Sequence, residues 1–237
     1  MEKVKIAVIG SGLMGAGIAQ ACATAGFPVV NIDIAQEPLD KAKALVAKLI
    51  QKKVAKGKIT QEECDSILGN LSYSTDYGEL AGAKYVIEAV PERLDFKQST
   101  FEKVDSVADA DAVLLTNTSG INIDEIALAT KRPGSLMGMH FFYPAPVMKL
   151  VELVRGAKTS NETYEKAKEL AEAIGKTTVD APNTPGFIVN RIIKPYENMG
   201  AWLVSEGVTP KDVDTAMKLA CNHPMGPCEH MDFVPGS

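Results

Sequence analysis

From Ile6 to Ile32 the chain carries no charged side chain. A run of that length is enough to cross a bilayer as a helix. Five glycines (Gly10, Gly12, Gly15, Gly17 and Gly26) interrupt it, and Pro28 breaks it again. The segment ahead of it, residues 1–5, has too little net positive charge for a secretory leader. A third reading accounts for the whole pattern. Residues 4–9 form a short buried strand, residues 13–25 a helix of small side chains, and residues 28–33 a second buried strand. Two parallel strands with a helix packed on them bury both faces, and in sequence they merge into one apolar run.

The glycines then have a physical purpose. Gly10-Ser11-Gly12-Leu13-Met14-Gly15 has the spacing G-x-G-x-x-G between strand and helix. Gly10 permits the tight turn, Gly12 lets a pyrophosphate approach the backbone, and Gly15 lets the helix pack on the sheet. The helix N-terminus offers free N–H groups and the positive end of its dipole to that phosphate. Asp33 closes the second strand, where a carboxylate can accept bonds from ribose hydroxyls and would repel a 2′-phosphate. The cofactor expected is NAD and not NADP.

Strand and helix signals continue to alternate. Helices are expected at 37–56, from a Thr60/Glu63 capping box, and at 94–107, 123–129 and 161–174. Strands are expected at 71–74, 84–90, 112–117, 136–140, 148–154 and 177–180. After Pro182 the texture turns helical: one long helix over 186–206 with Pro195 kinking it, then a helix opened by Thr209-Pro210 and running to about Ala220. The expected class is α/β, a Rossmann-type doubly wound domain over 1–183 followed by a partial all-helical domain over 184–237. The chain has 237 residues and a net charge of -5, which argues against nucleic acid as a partner. Cys22, Cys64, Cys221 and Cys228 include no C-x-x-C pair and read as reduced thiols in a cytoplasmic protein, with no membrane association.

Four places could carry chemistry. His140 ends a strand, where open α/β sheets bind their ligands, and Glu152 sits between apolar neighbours in the next strand. A buried carboxylate needs a partner, and an imidazole N–H is one. A structural hydrogen-bonded histidine is the plainer reading. Asn117-Thr118-Ser119 ends another strand; Ser119 could meet a reacting oxygen or could merely cap the following helix. Asn190 is an amide in an apolar helical segment and requires a partner. Between Lys41 and Lys58 there are seven lysines and no acid, either a solvated face or a site for an anionic ligand. Cys221, His223, Cys228 and His230 tempt a zinc reading, but the spacing matches no common site, and no metal is expected.

With these motifs in place, the chain resembles the L-3-hydroxyacyl-CoA dehydrogenase family over residues 3–233. The resemblance rests on Gly10–Gly15, Asn117–Ser119, His140-Phe141-Phe142, Met148–Glu152, Pro185–Arg191 and Met225-Gly226-Pro227. It implies interconversion of a 3-hydroxyacyl-CoA and its 3-oxo form with NAD(H). It implies His140 as general base, Glu152 orienting it, and Ser119 and Asn190 holding the substrate oxygen and nearby groups. Gly10, Gly12, Leu13, Met14, Gly15, Asp33, Glu92, Lys97 and Asn117 would contact the cofactor. Ser119, Lys52 and Lys56 would serve the acyl-CoA.

The sequence departs from the family twice. Tyr143 stands where an asparagine usually follows His-Phe-Phe, which would re-aim the pocket. The family's helical domain continues for several more helices, so this chain reads as truncated. Helices 186–206 and 210–220 would then expose an apolar face built from Phe187, Ile188, Ile192, Ile193, Trp202, Leu203, Val213, Met217 and Leu219. That predicts a homo-oligomer and weakened turnover. Competing readings are a dehydrogenase of a free 3-hydroxy or sugar acid, and a non-catalytic NAD-binding protein.

Overall fold

The computed structural model describes residues 2–233, and the chain divides into two compact units, residues 1–185 and 186–237. The first is a sheet of eight strands with helices packed on it, in the order β3-β2-β1-β4-β5-β6-β7-β8. The strands are β1 (Ile6–Ile9), β2 (Val29–Ile32), β3 (Leu71–Ser74), β4 (Tyr85–Glu88), β5 (Val113–Thr116), β6 (Leu136–Phe141), β7 (Leu150–Val154) and β8 (Thr177–Ala181). The helices are α1 (Leu13–Thr24), α2 (Gln36–Ala55), α3 (Gln61–Gly69), α4 (Leu94–Val107), α5 (Ile123–Ala127) and α6 (Asn161–Ala173). The uncharged N-terminal run is thus β1-α1-β2. Among the described residues no helix is long and apolar enough to cross a membrane.

β1 through β6 neighbours pair in parallel; β7 pairs antiparallel with β6, and β8 runs parallel to β7, so both of these strands oppose the other six. The chain winds outward from β1 to β3 and returns to the other side of β1 as β4. The sheet's topological switch therefore lies between β1 and β4, and their carboxyl ends open a crevice there. Apolar side chains of β1, β4, β5 and β6 form the core with Ile18, Ala19 and Cys22 of α1 and Val46 and Ile50 of α2. Burial in that core pushes the Cys22 thiol pKa up to about 12, so it is an inert packing group.

The elements are shorter than the sequence suggests at several ends. β1 begins at Ile6 and not Val4, and β7 at Leu150 and not Met148. α3 carries the expected capping box, with Thr60 Oγ1 accepting from Glu63 N at 3.1 Å and Thr60 N donating to Glu63 Oε2 at 2.7 Å.

The second unit contains α7 (Val189–Ser205), α8 (Pro210–Ala220) and α9 (Pro227–Phe233). α7 starts three residues later than expected. Gly186 and Phe187 have φ of 78° and 49°, a left-handed pair that cannot be the first turn of a right-handed helix. Pro195 sits inside α7, which runs on through it. The sequence reading did not anticipate α9, although Pro227 stands at its first position as Pro210 does in α8. Its first turn is capped from a distant helix, by Asp214 Oδ1 and Oδ2 accepting from the backbone N–H groups of Cys228 and Glu229. The expected exposed face is only partly present: Ile192, Trp202 and Leu219 are exposed, but Phe187 and Val213 are buried.

The most demanding contact in the first unit is α1 against its own approach turn. A Cβ on Gly15 would stand 1.9 Å from the carbonyl oxygen of Gly10, and Gly10 itself holds φ at 96°. Gly15→Ala must therefore push α1 off the turn. It should lower stability by about 2 kcal/mol or more, as overpacked backbone contacts do, and weaken NADH binding with it. Urea unfolding and NADH fluorescence titration read both; an alanine variant with unchanged affinity would contradict this account of the turn.

Candidate active site

Seven of the residues singled out by sequence lie at the carboxyl edge of the sheet. Gly10 follows β1, Asp33 follows β2, Glu92 follows β4, and Asn117 and Ser119 follow β5, while His140 lies in the last turn of β6. The antiparallel sense of β7 brings Glu152 into register directly opposite His140. Directly opposed side chains on one face of a sheet lie within contact of each other. His140 Nδ1 and Glu152 Oε2 are 2.7 Å apart, with Glu152 fully buried and His140 nearly so. A carboxylate can only accept, so Nδ1 carries the hydrogen, and in the neutral ring Nε2 has the lone pair. The ring also packs on Phe142, centroid to centroid 4.5 Å.

The connection between these two strands is anchored by a residue the sequence reading passed over. Lys176 is buried, and its Nζ donates to the carbonyls of Ala145 at 2.6 Å and Met148 at 2.8 Å. Burial lowers its pKa, and a Coulombic contribution from Cys22 opposes that shift. The ammonium caps two carbonyls of the β6–β7 loop, so the spacing of His140 and Glu152 is held from below. Tyr143, at the start of that loop, is exposed.

The glycine turn is equally well tied. Asn31, buried in β2, donates from Nδ2 to the carbonyls of Val8 at 3.0 Å and Gly10 at 2.9 Å. Asp33 Oδ2 accepts from the amide and hydroxyl of Ser11, at 2.7 and 2.6 Å, and its Oδ1 accepts from Ile34 N. Gly12 is the N-cap of α1, makes no side-chain cap and has open space where a Cβ would stand. The first turn of α1 thus presents its N–H groups to an unobstructed approach, with Leu13 exposed and Met14 half-buried beside it. An uncapped helix start beside a strand-end carboxylate fits the pyrophosphate and ribose of NAD.

Glu92 and Lys97 lie at the same edge, but not alike. Glu92 is partly exposed; its Oε1 accepts from the Thr118 hydroxyl at 2.5 Å, the Ser119 amide at 2.8 Å and the Ser119 hydroxyl at 3.2 Å. Lys97 is buried, with its ammonium 2.8 Å from Glu88 Oε1 and 3.3 Å from Glu92 Oε2. Asn117 ties β5 to β6, its Oδ1 accepting from Phe141 N at 2.8 Å. Lys52 and Lys56 are exposed at the C-terminal end of α2. Asn190 belongs to the second unit, in the first turn of α7. There too, His230 Nδ1 contacts Glu197 at 2.6 Å and His223 Nδ1 contacts Tyr196 at 3.1 Å. Among the described residues no group of three or more metal-ligating side chains comes together.

Glu88, Lys176 and Asn31 were not found from sequence. Glu88 and Asn31 had a signal, a charged or amide side chain inside an otherwise apolar strand, which must be paired if the strand is buried; Lys176, ahead of the polar β8, had none.

Burial alone would raise the Glu92 carboxyl, but the Lys97 ammonium and the bonds from Thr118 and Ser119 outweigh it and hold the group below its usual value. A carboxyl depressed in the folded state stabilises fully above its unfolded pKa of about 4.3 and loses that contribution as pH falls through the folded value. Glu92→Gln should therefore be less stable than the parent at neutral pH, with the gap closing as the solution is acidified below about pH 4. Thermal melts across pH read this, and a gap independent of pH would count against it.

The chain matches two family models, 3-hydroxyacyl-CoA dehydrogenase, NAD binding domain, over residues 5–184, and 3-hydroxyacyl-CoA dehydrogenase, C-terminal domain, over residues 186–235. It is 43% identical over 232 residues to a 3-hydroxybutyryl-CoA dehydrogenase of Clostridioides difficile, covering 98% of this chain and 83% of that protein. It is 40% identical over 237 residues to human mitochondrial hydroxyacyl-coenzyme A dehydrogenase, covering 97% and 75% respectively. Among solved structures, (S)-3-hydroxybutyryl-CoA dehydrogenase from Ralstonia eutropha superposes with a TM-score of 0.92 at 39% identity, covering 95% of this chain and 80% of that one.

Proposed function

The chain belongs to the 3-hydroxyacyl-CoA dehydrogenase family, and from that premise we propose how its own residues carry out the family's chemistry. It is an NAD-dependent oxidoreductase of the CH–OH group of 3-hydroxyacyl-CoA. The substrate we infer is short, 3-hydroxybutyryl-CoA, on the names of relatives about 40% identical to it over nearly its whole length. The observation that carries the site assignment is the buried His140–Glu152 pair at the sheet edge that also holds the glycine turn.

Bound NAD supplies the hydride acceptor. His140 supplies the base. Its Nε2 lone pair takes the proton of the 3-hydroxyl as C3 is oxidised to the carbonyl, and returns it in the reverse direction. Glu152 accepts from Nδ1–H throughout, which fixes the tautomer and offsets the positive charge that the ring acquires. Glu92 keeps Ser119 in place through its amide, and the Ser119 hydroxyl turns from Glu92 to donate its one hydrogen to the substrate oxygen. Asn190 joins the substrate-binding set on the family pattern of residues 185–191. Lys52 and Lys56, exposed cations in an acidic chain, serve the CoA nucleotide phosphates.

For the cofactor, Gly10, Gly12, Leu13, Met14 and Gly15 form the pyrophosphate seat, and Asp33 takes the adenosine ribose. Asp33 spends its Oδ2 on Ser11, so it is pre-aimed before any ribose arrives. Glu92, Lys97 and Asn117 complete the wall next to Ser119. Buried Cys22 and Cys64 are free thiols, which suits the reducing cytoplasm proposed for the protein.

Reduction of acetoacetyl-CoA by NADH tests the proposal. His140→Ala should lower kcat by about 10²–10⁴ while leaving the NADH dissociation constant unchanged, since the imidazole acts on the substrate alone. Near-parental turnover would refute His140 as the base. Titration with NADPH should give much weaker binding than with NADH, and Asp33→Ala should narrow the difference, because the carboxylate no longer opposes a 2′-phosphate. Equal affinity for the two cofactors in the parent would remove Asp33 from this role.

A further inference from the structure

Behind Glu92 lies a carboxylate that the chemistry above does not use. Glu88 is the last residue of β4 and is fully buried, and Lys97, its partner from α4, is 1% exposed. Glu88 Oε1 accepts from Lys97 Nζ at 2.8 Å and from the backbone N–H of Val90 at 2.7 Å. Its Oε2 accepts from the Thr116 hydroxyl at 2.6 Å. Both oxygens are committed to the protein, so Glu88 is placed to hold groups and not to touch a substrate.

A buried ion pair is a weak reason for stability, because desolvating two charges cancels most of what their attraction returns. What this pair does is directional. The three N–H bonds of Lys97 are aimed at Glu88, at Glu92 Oε2 and at the carbonyl of Val90. Glu92 in turn gathers Thr118 and both polar groups of Ser119 on Oε1. The line Glu88–Lys97–Glu92–Ser119 crosses from β4 to α4 to the turn after β4 and then to the turn after β5. Glu88 is its only member with no exposure. Without that anchor the ammonium would still be buried, and its remaining charged partner would be the half-exposed Glu92, free to swing toward water.

We propose that Glu88 is a positioning residue of this site: by holding the Lys97 ammonium in place it fixes Glu92 on the amide and hydroxyl of Ser119. Its bearing on turnover rests on the reading of Ser119 as the contact to the substrate oxygen.

The first test needs no cofactor or substrate. Glu88→Gln keeps the shape and an acceptor for Lys97 but removes the charge. Charge-assisted bonds are about twice as strong as neutral ones, so the Ser119 amide should exchange with solvent deuterium about tenfold faster in the variant. Amides of Val86 and Leu114, inside β4 and β5, should keep their parental rates. Unchanged exchange at Ser119 would overturn the proposal, and so would acceleration spread equally over the strand amides, which is what mere loosening of the core produces. Glu88→Asp serves if the glutamine variant does not fold. It keeps the charge but draws the carboxylate back by one methylene from Lys97, and should speed Ser119 exchange in the same direction by a smaller factor, whereas an unchanged rate would overturn the proposal.

Turnover then separates this proposal from the one it rests on. Glu88→Gln should lower kcat, and in a Lys97→Met background it should lower it no further, since residues acting in series are not additive. A full additional loss in that background would show that Glu88 acts by another route and would overturn it. Faster Ser119 exchange with unchanged kcat would uphold the positioning and refute the catalytic reading of Ser119.

Discussion

How near α1 comes to the end of β1 governs the rest of the first unit. The helix rests almost on the Gly10 carbonyl, a separation that no side chain at position 15 can share. The same carbonyl accepts from Asn31 in β2, and the amide of Gly10 donates to Ile32 at 2.7 Å. Three elements are thereby fixed about one residue. The consequence is positional: the uncapped start of α1 is held at the switch point of the sheet, with Asp33 beside it. Loosening the contact would not unmake β1 or α1, each of which has its own apolar reasons to form. It would remove the place where they meet.

The carboxyl edge of the sheet carries the unit's most costly groups, and their partners explain their arrangement. Glu88, Lys97, His140 and Glu152 are all buried there. Each would be prohibitive alone and is acceptable in a pair with its remaining bonds filled. One pair is bridged by parallel β4 and the helix after it. The other depends on the reversal of β7, which sets Glu152 opposite His140 in the ladder. A parallel β7 would need a long crossover and could not follow β6 through so short a loop. Lys176 supports that loop by filling two of its carbonyls from beneath.

Much of this was legible in the sequence because the signals are local. The charge-free run with its glycines, Asp33 at a strand end and the Thr60 capping box each declare themselves within a few residues. Helix ends and strand ends moved by a residue or a few, as fraying ends do. What was missed depends on partners far away in the chain. α9 is capped by Asp214 from α8, so no residue just ahead of it announces a helix. The start of α7 was misjudged because the left-handed conformation of Phe187 is unusual for a large side chain and has no composition signal. Lys97 was read from the resemblance as a cofactor contact, and nothing local in the sequence showed that Glu88 and Val90 turn its ammonium inward.

The two buried acid–base pairs differ in one property, and that property assigns their roles. A lysine ammonium has donors only, and those of Lys97 are aimed at Glu88, Glu92 and the carbonyl of Val90, so Glu88 and Lys97 form a fixed strut. An imidazole has two distinct nitrogens, so His140 can exchange a proton at Nε2 while Nδ1 stays bound to Glu152. A sheet edge with one pair that only holds its partners in place, and one whose ring has a second nitrogen, would separate the holding of groups from the movement of protons. Exchanging the cations would lose both: a lysine opposite Glu152 would have no lone pair to offer at neutral pH, and a histidine opposite Glu88 would have one donor for Glu88 and at most one more for the acceptors that Lys97 now reaches with three.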